Sequence, residues 1–168
     1  CNEPLTLKDA YMKKKYIYEG KLACECGCDY NAVIKDGIII TENRNTSLYD
    51  SPDLKRELYK DIPSSIISVF QESYNWMYDK LVKLDLQNKI VLETHINAFF
   101  FLHTHFAMLD QNALYVIVDK FPEMLVLYKG MIDRLNLNLN ILYLADNSLN
   151  WPIKKHCVDI FIDYFGNN

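Results

Sequence analysis

Apolar positions in the second half of the chain come in short runs divided by helical stretches. KIVLE at 89–93, LYVIVD at 114–119, NILYLAD at 140–146 and CVDIFIDYF at 157–165 each read as a strand. Nearly continuous apolar runs of this length suit strands buried on both faces. Between them, 98–109 reads as a helix, and a second helix opens at Pro122 and Glu123 and runs to about Leu135. Strands alternating with helices predict a parallel sheet with right-handed crossovers.

The first half is patterned differently. KYIYEGKLAC and YNAVIKDGIII are β-rich, broken by Glu19-Gly20 and by Asp36-Gly37, the second a strong hairpin signal. TENRNTS at 41–47 reads as a surface loop. Ser51-Pro52-Asp53 offers an N-cap hydroxyl, a proline at the first helical position and an acid near the positive helix end, so a helix is expected from Ser51 to just before Pro63. Another is expected over 64–84, where Ile67, Phe70, Tyr74, Met77 and Leu81 recur at three and four residues to form a core-facing stripe. The pattern therefore divides into a β segment at 1–48, a helical connector of two helices at 49–86 and an α/β part at 87–168.

Composition narrows the classes. With 168 residues and half of them hydrophobic, the chain can bury a core of ordinary size. A net charge of −4 implies no large electropositive surface, and Lys13-Lys14-Lys15 is most simply a solvated turn or strand edge. No run approaches the roughly 18 apolar residues of a membrane span, so no membrane partner is expected and the chain reads as cytoplasmic.

Three cysteines crowd into CECGC at 24–28. In a reducing compartment, thiols this dense point to a metal, and structural zinc takes four ligands. Cys24 and Cys26 would supply two, with Gly27 letting the backbone turn toward the sulfurs. Cys1, in CNEPL, has the look of the second half of an earlier Cys-x-x-Cys pair, whose partner would precede the first residue given. Cys28 is the alternative ligand. Ordinary reduced cysteines on a hairpin are the plainer reading, and Cys157 is expected to be simply buried.

The order of these parts resembles class I SAM-dependent methyltransferases with an N-terminal zinc ribbon, such as bacterial ribosomal RNA guanine methyltransferases. LACECGCDYNAVIKDGIII is similar to the ribbon, YVIVDKFPEML to the second motif, and LYLADNSLNWPIKKHCVDIFIDYFG to the third. The resemblance covers nearly the whole chain. It implies a Rossmann-like sheet, incomplete because family members continue with further strands, and it implies SAM as cofactor and structural zinc. Glu93 would be the acid of the first motif, Asp119 the acid on the ribose hydroxyls and Asp146 the residue facing the adenine amine. An acid at the carboxyl end of a second strand can accept from both ribose hydroxyls on general grounds.

The first motif departs from the family. THINAFF stands where Gly-x-Gly-x-Gly belongs, with His95, Asn97 and Phe99 at the glycine positions. Asn and His tolerate left-handed backbone better than most residues, but their Cβ atoms, and the Phe99 ring, project where the cofactor would lie. A degenerate methyltransferase-like domain, or part of a larger methyltransferase, is the expected function, with no catalytic residue assigned. The alternative is a non-catalytic ribbon and α/β module that binds a protein or RNA. A homodimer or a following segment is expected to cover the last strand, which would otherwise be a bare sheet edge. His103 and His105, two apart on a helix, cannot chelate one ion together and read as partly buried polar residues.

Overall fold

In a computed structural model, the residues described are 3–13, 16–41, 62–94, 101–146 and 151–163, with the side chains of 101–103 left aside. Cys1, the expected helix after Ser51, and the loop carrying His95, Asn97 and Phe99 lie outside them. Among the described residues the chain forms eight strands and three helices. The strands are β1 (Leu5–Lys13), β2 (Tyr16–Cys24), β3 (Asn31–Lys35), β4 (Ile38–Thr41), β5 (Ile90–Thr94), β6 (Leu114–Asp119), β7 (Asn140–Ala145) and β8 (Ile160–Asp163). The helices are α1 (Ser64–Leu81), α2 (Phe101–Ala107) and α3 (Pro122–Leu135).

All eight strands belong to one mixed sheet of order β1-β2-β3-β4-β7-β6-β5-β8. The first four form an antiparallel meander. Its β3–β4 turn places Asp36 and Gly37 both at positive φ, 54° and 78°, the mirror-image turn that matches strand twist. The Gly37 amide also donates to the Tyr18 carbonyl on β2 at 2.9 Å, and Lys129 Cε lies 3.1 Å from where a Cβ on Gly37 would stand. The positive φ favours glycine there, and the end of the Lys129 side chain would have to give way to any Cβ.

The meander is continuous with the parallel strands. Ile38, Ile39 and Ile40 of β4 lie in parallel register with Tyr143, Leu144 and Ala145 of β7. β7, β6 and β5 are then mutually parallel, and β8 joins the far side of β5, also parallel. Along the chain the strands run outward from β5 through β6 to β7, then the connection returns past β5 to place β8.

Side chains alternate across this sheet. Val91, Tyr115, Ile117, Tyr143, Ile38 and Ile162 face all three helices, packing with Tyr74, Met77 and Leu81 of α1, Ala107 of α2, and Leu125, Tyr128 and Ile132 of α3. Leu92, Val116, Val118 and Leu144 face the other way, against Trp151, Ile153 and Val158. The stripe expected of α1 holds in its second half, since Tyr74, Met77 and Leu81 are buried, but Ile67 is 45% exposed. α3 starts as expected at Pro122 with Glu123 in its first turn, and ends where Asn136 adopts the left-handed conformation at φ 51°. No described helix is long and apolar enough to cross a membrane.

Candidate functional site

The parallel register brings the carboxyl ends of five strands into one row. Thr94 of β5 pairs in register with Asp163 of β8, and Asp119 of β6 with Ala145 of β7, just before Asp146. Thr41 ends β4 beside the same edge. Two pairs of these side chains are hydrogen-bonded, and a main-chain bond joins the ends of β6 and β7. Thr41 Oγ1 donates to Asp146 Oδ2 at 2.7 Å, Thr94 Oγ1 donates to Asp163 Oδ1 at 2.9 Å, and the Asp146 amide donates to the Asp119 carbonyl at 3.0 Å. Asp119 Oδ1 accepts the Phe121 amide at 2.9 Å, which fixes the carboxylate at the entrance to α3. Asp119 and Asp146 are both buried, as is Thr41.

One residue inward, β5 turns Glu93 toward the helix layer, because side chains two apart share a face and Val91 faces it. Glu93 is 4% exposed and accepts a hydrogen bond from the Tyr115 hydroxyl. Burial raises the Glu93 carboxyl from its ordinary 4.5 to about 7, with the Tyr115 and Thr104 hydroxyls pulling the other way. Burial also holds the Tyr115 hydroxyl well above its usual range, reinforced by the Glu93 charge beside it. Thr104 Oγ1 is close enough to lower both groups yet does not meet the geometry of a formed hydrogen bond, so it is a neighbour of the pair and not a member. His105 is fully buried, its ring edge-on to Tyr115 with centroids 4.8 Å apart.

Further along the same edge of the sheet, beyond β3, the loop after β2 gathers three thiols. A backbone bond from the Cys24 amide to the Tyr30 carbonyl at 3.0 Å closes the loop, and Gly27 takes φ 82° within it. The sulfurs of Cys24, Cys26 and Cys28 all lie within 4.8 Å of one another, close enough to bind a metal. Cys24 is half-buried, and Cys26 and Cys28 are exposed. The Cys24 thiol, and then that of Cys28, pushes Cys26 up to about 11, while the Tyr30 backbone, followed by the Cys26 and Cys24 thiols, draws Cys28 below the usual thiol range.

Of the residues predicted from sequence, Asp119 and Asp146 end neighbouring strands at one edge and are linked through the main chain, Glu93 points into the core, and Cys24, Cys26 and Cys28 converge. His95, Asn97 and Cys1 lie outside the described residues. The expectation for His105 as a partly buried polar residue understates its burial, which is complete. Sequence reasoning did not single out Thr41, Thr94, Asp163 or Tyr115. Each of those occupies a strand position whose importance depends on which strand lies beside it, and no local pattern carries that. A cavity of about 350 Å³ lies at the amino ends of β6 and β7, lined by Ile39, Ile132 and Tyr143 beside Lys129 and Asp133. It holds none of the predicted site residues. Compared with protein-family models, curated proteins and solved structures, the chain matches none.

Proposed function

We propose that this chain is a Rossmann-like domain of the SAM-methyltransferase type that binds the nucleoside part of the cofactor at the carboxyl ends of β6 and β7, and in which methyl transfer was lost with the glycine motif. The observation that carries this reading is the strand order. β7-β6-β5-β8 is parallel throughout, and the chain reverses direction across the sheet between β5 and β8. In open α/β sheets ligands bind outside the carboxyl ends of the strands, at such a reversal. Asp119 ends β6, one strand from that reversal, on the second strand in chain order of this parallel set, oriented by the Phe121 amide. Asp119 would accept from the two ribose hydroxyls, and Asp146 would face the adenine amine. When bound, SAM would supply an activated methyl group. Nothing in the residues described is assigned to deliver that group to an acceptor. Zinc, in this reading, is held by the sulfurs of the 24–28 loop with Cys1 as a further ligand, and its role is structural.

Titration calorimetry with SAM and S-adenosylhomocysteine tests the proposal. Micromolar binding is expected, weakened roughly tenfold or more by Asp119→Asn, which keeps an oxygen for the Phe121 amide but loses the charge that accepts from ribose. Absence of heat from folded protein at high ligand concentration overturns it.

That second outcome favours the other reading, a non-catalytic module that binds a protein or RNA. One observation speaks for it: Glu93 and Asp146 already have internal partners in Tyr115 and Thr41, so both acids serve the fold itself.

A further inference from the structure

The thiol loop carries an inference independent of the carboxyl-edge reading, and it concerns the loop without zinc, which the same sulfurs would otherwise hold. Cys24 Sγ lies 2.9 Å from Cys26 Sγ, and the loop that holds them is open to solvent, with Cys26 and Cys28 both exposed. A disulfide has a sulfur–sulfur bond of roughly 2.0 Å, so joining this pair requires the two sulfurs to close by about 0.9 Å. Both thiols sit on a turn at the end of β2 and not within a strand or helix on both sides. Gly27 has nothing within 4 Å of its absent side chain, and the hydrogen bond from the Cys24 amide to the Tyr30 carbonyl closes the base of the loop. A third thiol, Cys28, completes the group within 4.8 Å.

We propose that Cys24 and Cys26 form a reversible oxidation site, converted to an intraloop disulfide by a hydroperoxide and restored by a dithiol. A thiolate of the pair attacks one peroxide oxygen, the O–O bond breaks, and the leaving oxygen departs as hydroxide and is protonated. The sulfenic acid so formed is displaced by the second thiol, the S–O bond breaks, the S–S bond forms and water leaves. The two sulfurs together lose two electrons, the peroxide gains two, and with hydrogen peroxide the products are the disulfide and two waters. A resolving thiol already in contact diverts the sulfenic acid from further oxidation.

The chain is well suited to a direct test. Trypsin cleavage after Lys21 and Lys35 places all three cysteines of the loop in one peptide, 22–35. Native, metal-free protein is treated with hydrogen peroxide, quenched with N-ethylmaleimide and digested. The expected peptide has lost two hydrogens and carries one label, located on Cys28, and prior treatment with dithiothreitol restores three labels. In Cys26→Ser protein the two-hydrogen loss is expected to slow at least about tenfold, because the sulfur in contact with Cys24 is gone. Three labels after peroxide, accumulation of sulfinic or sulfonic acid in the wild-type peptide, a label on Cys24 or Cys26 in place of Cys28, or an undiminished rate in Cys26→Ser would each overturn the proposal.

Discussion

A carboxyl group sealed in a hydrophobic layer makes stability depend on pH, and Glu93 is such a group. Its folded pKa of about 7 lies above the ordinary 4.5, so the proton is bound more tightly in the native state. The stabilising contribution is therefore complete below about pH 4.5, falls as pH rises through 7, and is gone above it. The interval corresponds to about 3 kcal/mol. In Glu93→Gln the amide oxygen still accepts from Tyr115 and nothing ionises. Urea unfolding at pH 5 and pH 8 should show the wild type losing on the order of 3 kcal/mol more than the variant across that interval. An identical loss in both proteins would mean that Glu93 does not titrate in this range. At the same scale the acid at 93 was legible as a polar residue ending an apolar run, but its direction was not. Resemblance made it the acid of the first motif, and the period of two along β5, combined with Tyr115 on the neighbouring strand, turns it into the core.

At the scale of elements, local chemistry was a good guide where it is local. Asp36-Gly37 predicted a hairpin and forms one, since both residues accept positive φ. Pro122 and Glu123 predicted a helix start and make one. Strands KIVLE, LYVIVD and NILYLAD fall where their apolar runs placed them. What remained hidden is long-range. β1 lacks a clear alternation, since only Leu5 is even half-buried, and its irregular register between Lys8 and Tyr11 blurs the pattern further. The pairing of β4 with β7 joins positions about a hundred residues apart, which no window of sequence contains. That junction is held in part by Thr41 donating to Asp146. Thr41→Val preserves shape and removes the donor, so it should destabilise the protein by about 1–3 kcal/mol and speed amide exchange in β4 more than in β5. Unchanged stability would show that the strand pairing alone secures the meander.

For the molecule as a whole, the consequence of joining the meander to the parallel strands is a sheet whose carboxyl edge is defined by β4, β7, β6, β5 and β8 together. Two of the three acids assigned by resemblance, Asp119 and Asp146, come to that edge. The thiol loop follows β2, which runs in the same direction as β4, so it lies along the same edge with β3 between it and Thr41. The alternating α/β reading of 87–163 was available from periodicity alone, while the row of Thr41, Asp146, Asp119, Thr94 and Asp163 was not, because it exists only once five strands are set in register. The central claim, that this edge holds a nucleoside, is tested most directly by amide chemical-shift mapping with S-adenosylhomocysteine. The account predicts saturable shifts concentrated at Asp119–Phe121 and Asp146, smaller shifts at Thr41, and none at Cys24–Cys28. Shifts confined to other surfaces, or none at millimolar ligand, would contradict it.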